Sequence, residues 1–123
     1  MEFNEVLKAR FSCKKFSNKP ICAETLESIL KAGNLAPTVA GALLSCFLTP
    51  SIVATYMMLA ATNEGVNSCW LNYFDPENAS DELDIPESEQ LVLLLALGYG
   101  EDDFAPSSKH YIRKDISENV IYL

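Results

Sequence analysis

A single histidine, His110, is all that this chain carries, and no obvious acid partner accompanies it. A Ser-His-Asp triad is therefore not legible, and G-x-S-x-G is missing as well. No G-x-G-x-x-G follows a first strand, so a doubly wound dinucleotide site has no support. The four cysteines, Cys13, Cys22, Cys46 and Cys69, form no C-x-x-C pair, and they lack the close ligand spacing of a zinc site. No signal peptide is legible at the N-terminus, so a disulfide framework is not expected. Cys69 lies in an apolar run and reads as a buried small hydrophobe. The longest unbroken aliphatic run, Leu91 to Leu97, is too short to span a bilayer. These absences point to a protein of the reducing cytoplasm, off the membrane.

Positive charge is also scarce, and its distribution is uneven. The formal net charge is −8, from 9 Lys and Arg against 17 Asp and Glu, which disfavours nucleic acid as a partner. Between Lys31 and Lys109 there is no Lys or Arg. The cations sit at the two ends: Lys8, Arg10, Lys14, Lys15 and Lys19 in the first stretch, Lys109, Arg113 and Lys114 near the last. Folding that brought the ends together would suit a small anionic ligand. On charge alone, ends that are simply solvated remain the preferred reading.

With 123 residues, 49% of them hydrophobic and 21% charged, the chain is read as one domain, residues 1–123. A core of this size is thin, and a second subunit would help to cover apolar faces. Phe3, Val6 and Leu7 predict a helix over residues 3–10, with Arg10 leaving its end. A loop to Pro20 follows. A second helix is expected over residues 23–33, burying Leu26, Ile29 and Leu30, with Glu24 and Glu27 near its positive end and Gly33 or Asn34 as its stop. Residues 39–50 fit either a strand or a buried helical turn, closed by Pro50. A third helix is expected from a Ser51 cap to a Gly65 stop. It is apolar almost all round, so burial in a subunit interface is expected, with Met57 and Met58 packing there.

Val66 to Phe74 reads as a strand, and Asp75-Pro76 as the cap and first residue of a short helix. The acidic stretch Asp81 to Glu89 reads as a solvated face rather than a metal site. Leu91 to Tyr99 reads as a strand in the middle of a sheet covered on both faces, and Val120 to Leu123 as a final edge strand. Trp70 is expected in the core and His110 in a surface loop.

The distinctive local pattern is Arg10-Phe11-Ser12-Cys13-Lys14-Lys15-Phe16. In an extended loop residues two apart point the same way, so Arg10, Ser12 and Lys14 would cluster two cations and a hydroxyl. Such a cluster suits a phosphate monoester. With no acid or base at hand, an enzyme built on it would leave the hard chemistry to a cofactor.

This opening resembles the R-x-S-x-R/K-x-F signature of the FMN-dependent nitroreductase-like family. The run Glu24 to Gly33 followed by Leu35-Ala-Pro-Thr38 resembles that family's next block, and Ser51 to Tyr73 its central helix and following strand. Phe74-Asp-Pro and Leu91 to Gly100 match a further block, and Pro106 to Lys114 its C-terminal basic element. The blocks stand in family order over most of the chain. The resemblance implies an α+β fold, a small mostly antiparallel sheet flanked by helices, paired as a homodimer whose C-terminal segments reach across. It implies FMN at the dimer interface, NAD(P)H as electron donor, and a nitroaromatic, quinone or similar small-molecule acceptor. Carried over by position, Arg10, Ser12 and Lys14 would hold the FMN phosphate and ribityl chain, with Arg113 adding a cation. Pro37 and Thr38 would line the flavin from the partner subunit. The loop after Gly65 and the Leu97-Gly98 turn would pass near the ring, mostly through backbone. One departure stands out. The family carries a long central stretch with an Asn-x-Gln-type flavin contact, sheet strands and substrate-side helices. Here Val39-Ala-Gly41 stands where that contact begins, and only a short bridge leads to Ser51. The alternative to an enzyme is thus a non-catalytic or flavin-binding-only homodimer that has lost its substrate side.

Overall fold

Punctuation residues set the element ends in this computed structural model, which describes residues 1–37 and 48–122. Helix α1 spans Phe3–Ala9, and Arg10 ends it in an extended conformation, its N–H donating to the Val6 carbonyl at 3.0 Å. Helix α2 spans Ala23–Asn34. The Glu24 carboxyl at its start is held below the ordinary carboxylate range by its own backbone N–H and then by the Cys22 thiol. Helix α3 spans Leu48–Asn63. The expected cap, Ser51, lies inside it, because Pro50 occupies the first turn, where a missing N–H costs nothing. Residues 39–47 of the ambiguous apolar stretch fall outside the described residues.

The end of α3 is specified residue by residue. The Gly65 N–H donates to the Thr62 carbonyl at 3.1 Å and the Val66 N–H to the Ala61 carbonyl at 2.8 Å, the paired bonds of a Schellman stop. Gly65 takes φ +73°, a left-handed conformation that side chains resist. Val66 then folds back onto Ala61, and both join Ile29 of α2 in the buried core. Gly65→Ala is expected to lower stability by about 1–2 kcal/mol, read from a urea titration.

Strands β1, Asn67–Leu71, and β2, Leu94–Gly98, pair antiparallel, with Asn67 opposite Gly98, Cys69 opposite Ala96 and Leu71 opposite Leu94. Between them Asp75 caps helix α4, Pro76–Glu82, accepting from the N–H groups of Glu77 and Asn78. The pairing assigns the two faces. Ser68, Trp70, Leu95 and Leu97 share the face turned to the helices, where Leu97 meets the Ile29–Ala61–Val66 core. Asn67, Cys69, Leu71, Ala96 and Gly98 share the other. On the helix side the Ser68 hydroxyl is buried without a hydrogen-bond partner among the described residues. An unpaired buried hydroxyl costs about 1–3 kcal/mol, so Ser68→Ala is expected to leave the melting temperature unchanged or raise it.

Several expectations need correction. Within α2 only Ile29 of the expected face is fully buried; Leu26 and Leu30 are 39% and 49% exposed in the single chain. In α1, Val6 is buried while Phe3 and Leu7 are exposed. Gly33 is not a stop signal but a contact: a Cβ there would sit 2.9 Å from Met57 Cγ, so the missing side chain lets α2 and α3 approach. Met57 accordingly packs on the core of its own chain. β2 is shorter than expected and half-buried rather than covered on both faces. No strand forms over residues 120–122; a 3-10 turn, Ile116–Glu118, precedes them instead. Its cap, Asp115, has its carboxyl held below the ordinary range by the hydroxyl and then the N–H of Ser117. Among the described residues no helix is long and apolar enough to cross a membrane, and no cluster of three His, Cys, Asp or Glu could hold a metal.

Candidate functional site

The segment from Arg10 to Ser17 is extended because the strand ends hold it. Ser12 bridges Ser68 of β1 in parallel, and the Cys13 N–H donates to the Ser68 carbonyl at 2.9 Å. Phe16 bridges Gly100 just beyond β2, and the Ser17 N–H donates to the Tyr99 carbonyl at 2.8 Å. The segment thus crosses from one strand to the other at the end where β1 begins and β2 stops. Extended geometry alternates its side chains. Cys13 is fully buried, while Ser12 and Lys14 on either side of it are exposed. Arg10, at the helix exit, is half-buried. The two-residue spacing therefore does place a hydroxyl and a cation outward around a buried anchor.

That anchor was not legible as such. Cys13 Sγ donates to the Lys15 carbonyl at 3.1 Å and lies against Gly100, where an added Cβ would come within 3.2 Å of it. Asn67 completes the corner, its side-chain oxygen accepting from the Gly100 N–H at 2.8 Å. Phe16 lies on Gly98, where a Cβ would come within 2.8 Å of the ring. The signal available in the sequence was the pairing of two glycines near a strand end, Gly98 and Gly100, with the apolar residues Phe11, Cys13 and Phe16 of the loop. Asn67→Ala would leave the Gly100 N–H without its partner, and a loss of about 1–3 kcal/mol in chemical denaturation is expected.

The cations sort themselves by partner. Lys19 stands over the Tyr99 ring, 4.3 Å from its centroid. Lys15 faces Glu101 at 3.9 Å, an exposed pair of little energetic weight. Lys31 pairs with Glu27 along α2. Among the described residues Lys8, Arg10, Lys14, Lys109, Arg113 and Lys114 pair with no carboxylate. All six retain their attraction for an external anion.

The C-terminal element does return to the N-terminal one. Phe11 stacks on Phe104 with centroids 6.2 Å apart and meets His110 edge-on at 6.4 Å. His110 is therefore a half-buried packing residue within the 3-10 turn Ser108–Tyr111, not a free loop side chain. Arg113, just past that turn, lines a cavity of about 400 Å³ with Leu7, Lys8, His110 and Tyr111. Lys14 lines a different cavity, of about 520 Å³, with Cys13, Phe16, Cys69, Trp70, Leu71, Asn72, Tyr73 and Ala96. The chain ends thus meet at α1, while Arg113 and Lys14 open onto separate hollows. Trp70 is half-buried on the rim of the second hollow rather than in the core.

The remaining expected site residues are placed less favourably. Pro37 is exposed, and Thr38 lies outside the described residues. The Leu97 side chain is committed to the core, and Gly98 is buried under Phe16.

Four helices against a small antiparallel ribbon, with a basic extended segment across one ribbon end, make an α+β fold of the nitroreductase-like kind. The sequence agrees: the nitroreductase family profile matches residues 7–47 and 45–99, and the chain belongs to that family. The match comes in two pieces that meet at residues 45–47, where the family's central segment is lacking. A nitroreductase family protein from Clostridium difficile 630 superposes with a TM-score of 0.82 at 24% identity, covering 99% of this chain and 98% of that one. A nitroreductase with bound FMN from Desulfitobacterium hafniense DCB-2 gives 0.76 at 16% identity, covering 100% and 98%. Another with bound FMN, from Bacteroides fragilis NCTC 9343, gives 0.72 at 21% identity with the same coverage. At these identities the likeness is one of fold. No curated protein matches the sequence significantly.

Proposed function

We propose that the chain is an FMN-dependent oxidoreductase of the cytoplasm that acts as a homodimer, draws electrons from NAD(P)H and reduces a small nitroaromatic, quinone or similar acceptor. The observation that carries this reading is the segment Arg10 to Lys14: an outward hydroxyl and cation, fixed by a buried thiol, beside an arginine that pairs with no carboxylate among the described residues. That donor set fits a phosphomonoester, which takes charge-assisted hydrogen bonds from a guanidinium and an ammonium at once. Arg113, beside α1 but opening onto a different hollow from Lys14, would add a cation from the C-terminal element. Bound FMN supplies the two-electron redox chemistry between nicotinamide and acceptor. The chain's own part is to hold the phosphate end and to present backbone at Leu97 and Gly98 toward the ring. The exposed apolar side chains Leu26, Leu30, Ile52 and Tyr56 favour a second copy as the cover for the helix layer. Pro37 and Thr38 would contribute across that interface.

A second reading, a flavin-binding dimer without turnover, rests on the two-piece family match, which accords with a reduced central segment that the resemblance places on the substrate side. An absorption spectrum separates the readings. Yellow protein that NAD(P)H bleaches, with turnover of a quinone, is the expected result. Yellow protein that NAD(P)H leaves unchanged supports the binding module, and colourless protein that takes up no added FMN overturns both.

A further inference from the structure

We propose that Cys13 and Cys69 form a redox-responsive dithiol, which a hydroperoxide closes into a disulfide that pins the segment Arg10 to Lys14 onto β1. The case starts from register. Ser12 and Ser68 form an isolated parallel bridge, and the next residue along each segment is a cysteine. In a parallel pair, residues at the same level project to the same face. Neighbouring strands run ~4.8 Å apart, inside the ~4.4–6.8 Å that the Cα atoms of a disulfide span. The 2.9 Å bond from the Cys13 N–H to the Ser68 carbonyl fixes the two backbones at that point.

Both thiols are free, and both line the same cavity of about 520 Å³ on the sheet face turned away from the helices. The cavity gives a small oxidant a way in to both sulfurs. Cys69 retains 7% exposure and Cys13 none, so the order of events is set. The Cys69 sulfur attacks one peroxide oxygen, the O–O bond breaks, and Cys69 becomes a sulfenic acid with release of one water. The Cys13 sulfur then attacks the Cys69 sulfur, the S–O bond breaks, and the hydroxyl leaves as a second water with the Cys13 proton. Two electrons pass from the two sulfurs to the peroxide. The Cys13 hydrogen bond to the Lys15 carbonyl is given up on closure, so the change is transmitted to the basic segment itself.

The site stands apart from the flavin assignment, since it rests on two sulfurs and one strand register. It is tested in a Cys22→Ser, Cys46→Ser variant exposed to hydrogen peroxide. Intact mass is expected to fall by two hydrogen atoms, and peptide mapping without reductant is expected to join the Cys13 and Cys69 peptides, both reversed by dithiothreitol. The same mapping on the unsubstituted chain serves if that variant does not fold. In Cys13→Ser, dimedone is expected to label Cys69; in Cys69→Ser, Cys13 is expected to stay unlabelled. Two thiols still open to alkylation in denaturant after peroxide overturn the proposal. So does oxidation that runs to sulfinic or sulfonic acid with no joined peptide.

Discussion

Replacing Arg10 and Lys14 together with alanine is expected to weaken FMN binding by roughly a hundredfold or more while leaving riboflavin binding within about twofold. The two ligands share the ring and the ribityl chain and differ in the phosphate, so their ratio isolates the anion contact. A hydrogen bond to a charged partner is worth about 1.5–3 kcal/mol, and each 1.4 kcal/mol is a tenfold change in affinity. Arg10→Ala alone should therefore lose about tenfold to a hundredfold. Neither side chain is spent on a carboxylate among the described residues, so neither substitution breaks an internal ion pair. Both are surface or half-buried positions outside the Ile29 core, which keeps the fold out of the measurement. Raising the salt concentration should weaken FMN binding in the parent chain and less so in the variant, because screening acts on the charges removed. An unchanged ratio of FMN to riboflavin affinity would count against the phosphate assignment.

How far the sequence carried the fold depends on the kind of signal each residue gives. Asp75-Pro76 and Gly65 were readable because their constraint is local: a carboxylate that accepts two helix N–H groups, a backbone angle that side chains resist. The alternation across Ser12 to Lys14 was readable for the same reason, and the structure leaves Ser12 and Lys14 exposed on either side of buried Cys13. Gly33 was misread because the same residue type serves two purposes, and only Met57 on another helix shows which one applies. Leu26 and Leu30 mark an apolar face, but periodicity does not say what covers it, and among the described residues the two side chains stay partly exposed. Val120 to Tyr122 had the composition of a strand with no partner to pair with, and β-structure is settled by the neighbour rather than the segment. Leu97 and Gly98 were placed near the ring by resemblance, but their side of the sheet was decided by register. One is turned to Ile29 and the other lies under Phe16.

That last contact joins the fold to the site, and Ile29→Ala is expected to show it. Ile29 of α2 is fully buried against Ala61 and Val66, with Ile21, Met57, Leu97 and Tyr99 packed against the cluster. Truncating such a side chain removes its transfer free energy and leaves a cavity, together about 2–5 kcal/mol. Domains of this kind hold about 5–15 kcal/mol in all, so the variant should melt well below the parent. Ile29→Val should cost only about 0.5–1.5 kcal/mol, and this graded pair separates a packing effect from general misfolding. The consequence for the site follows from the chain of contacts. Tyr99 leans on the cluster and its carbonyl accepts the Ser17 N–H, and Gly100 beyond it seats Cys13 and donates its N–H to the Asn67 side chain. Loosening Ile29 therefore loosens the corner that holds Arg10 to Lys14 extended. Saturating FMN should then recover more of the melting temperature in Ile29→Ala than in the Arg10, Lys14 double variant, since ligand binding to the folded state adds stability as RT ln(1 + [L]/Kd). Recovery in Ile29→Ala as large as in the parent chain would mean that the core and the basic segment are not mechanically connected.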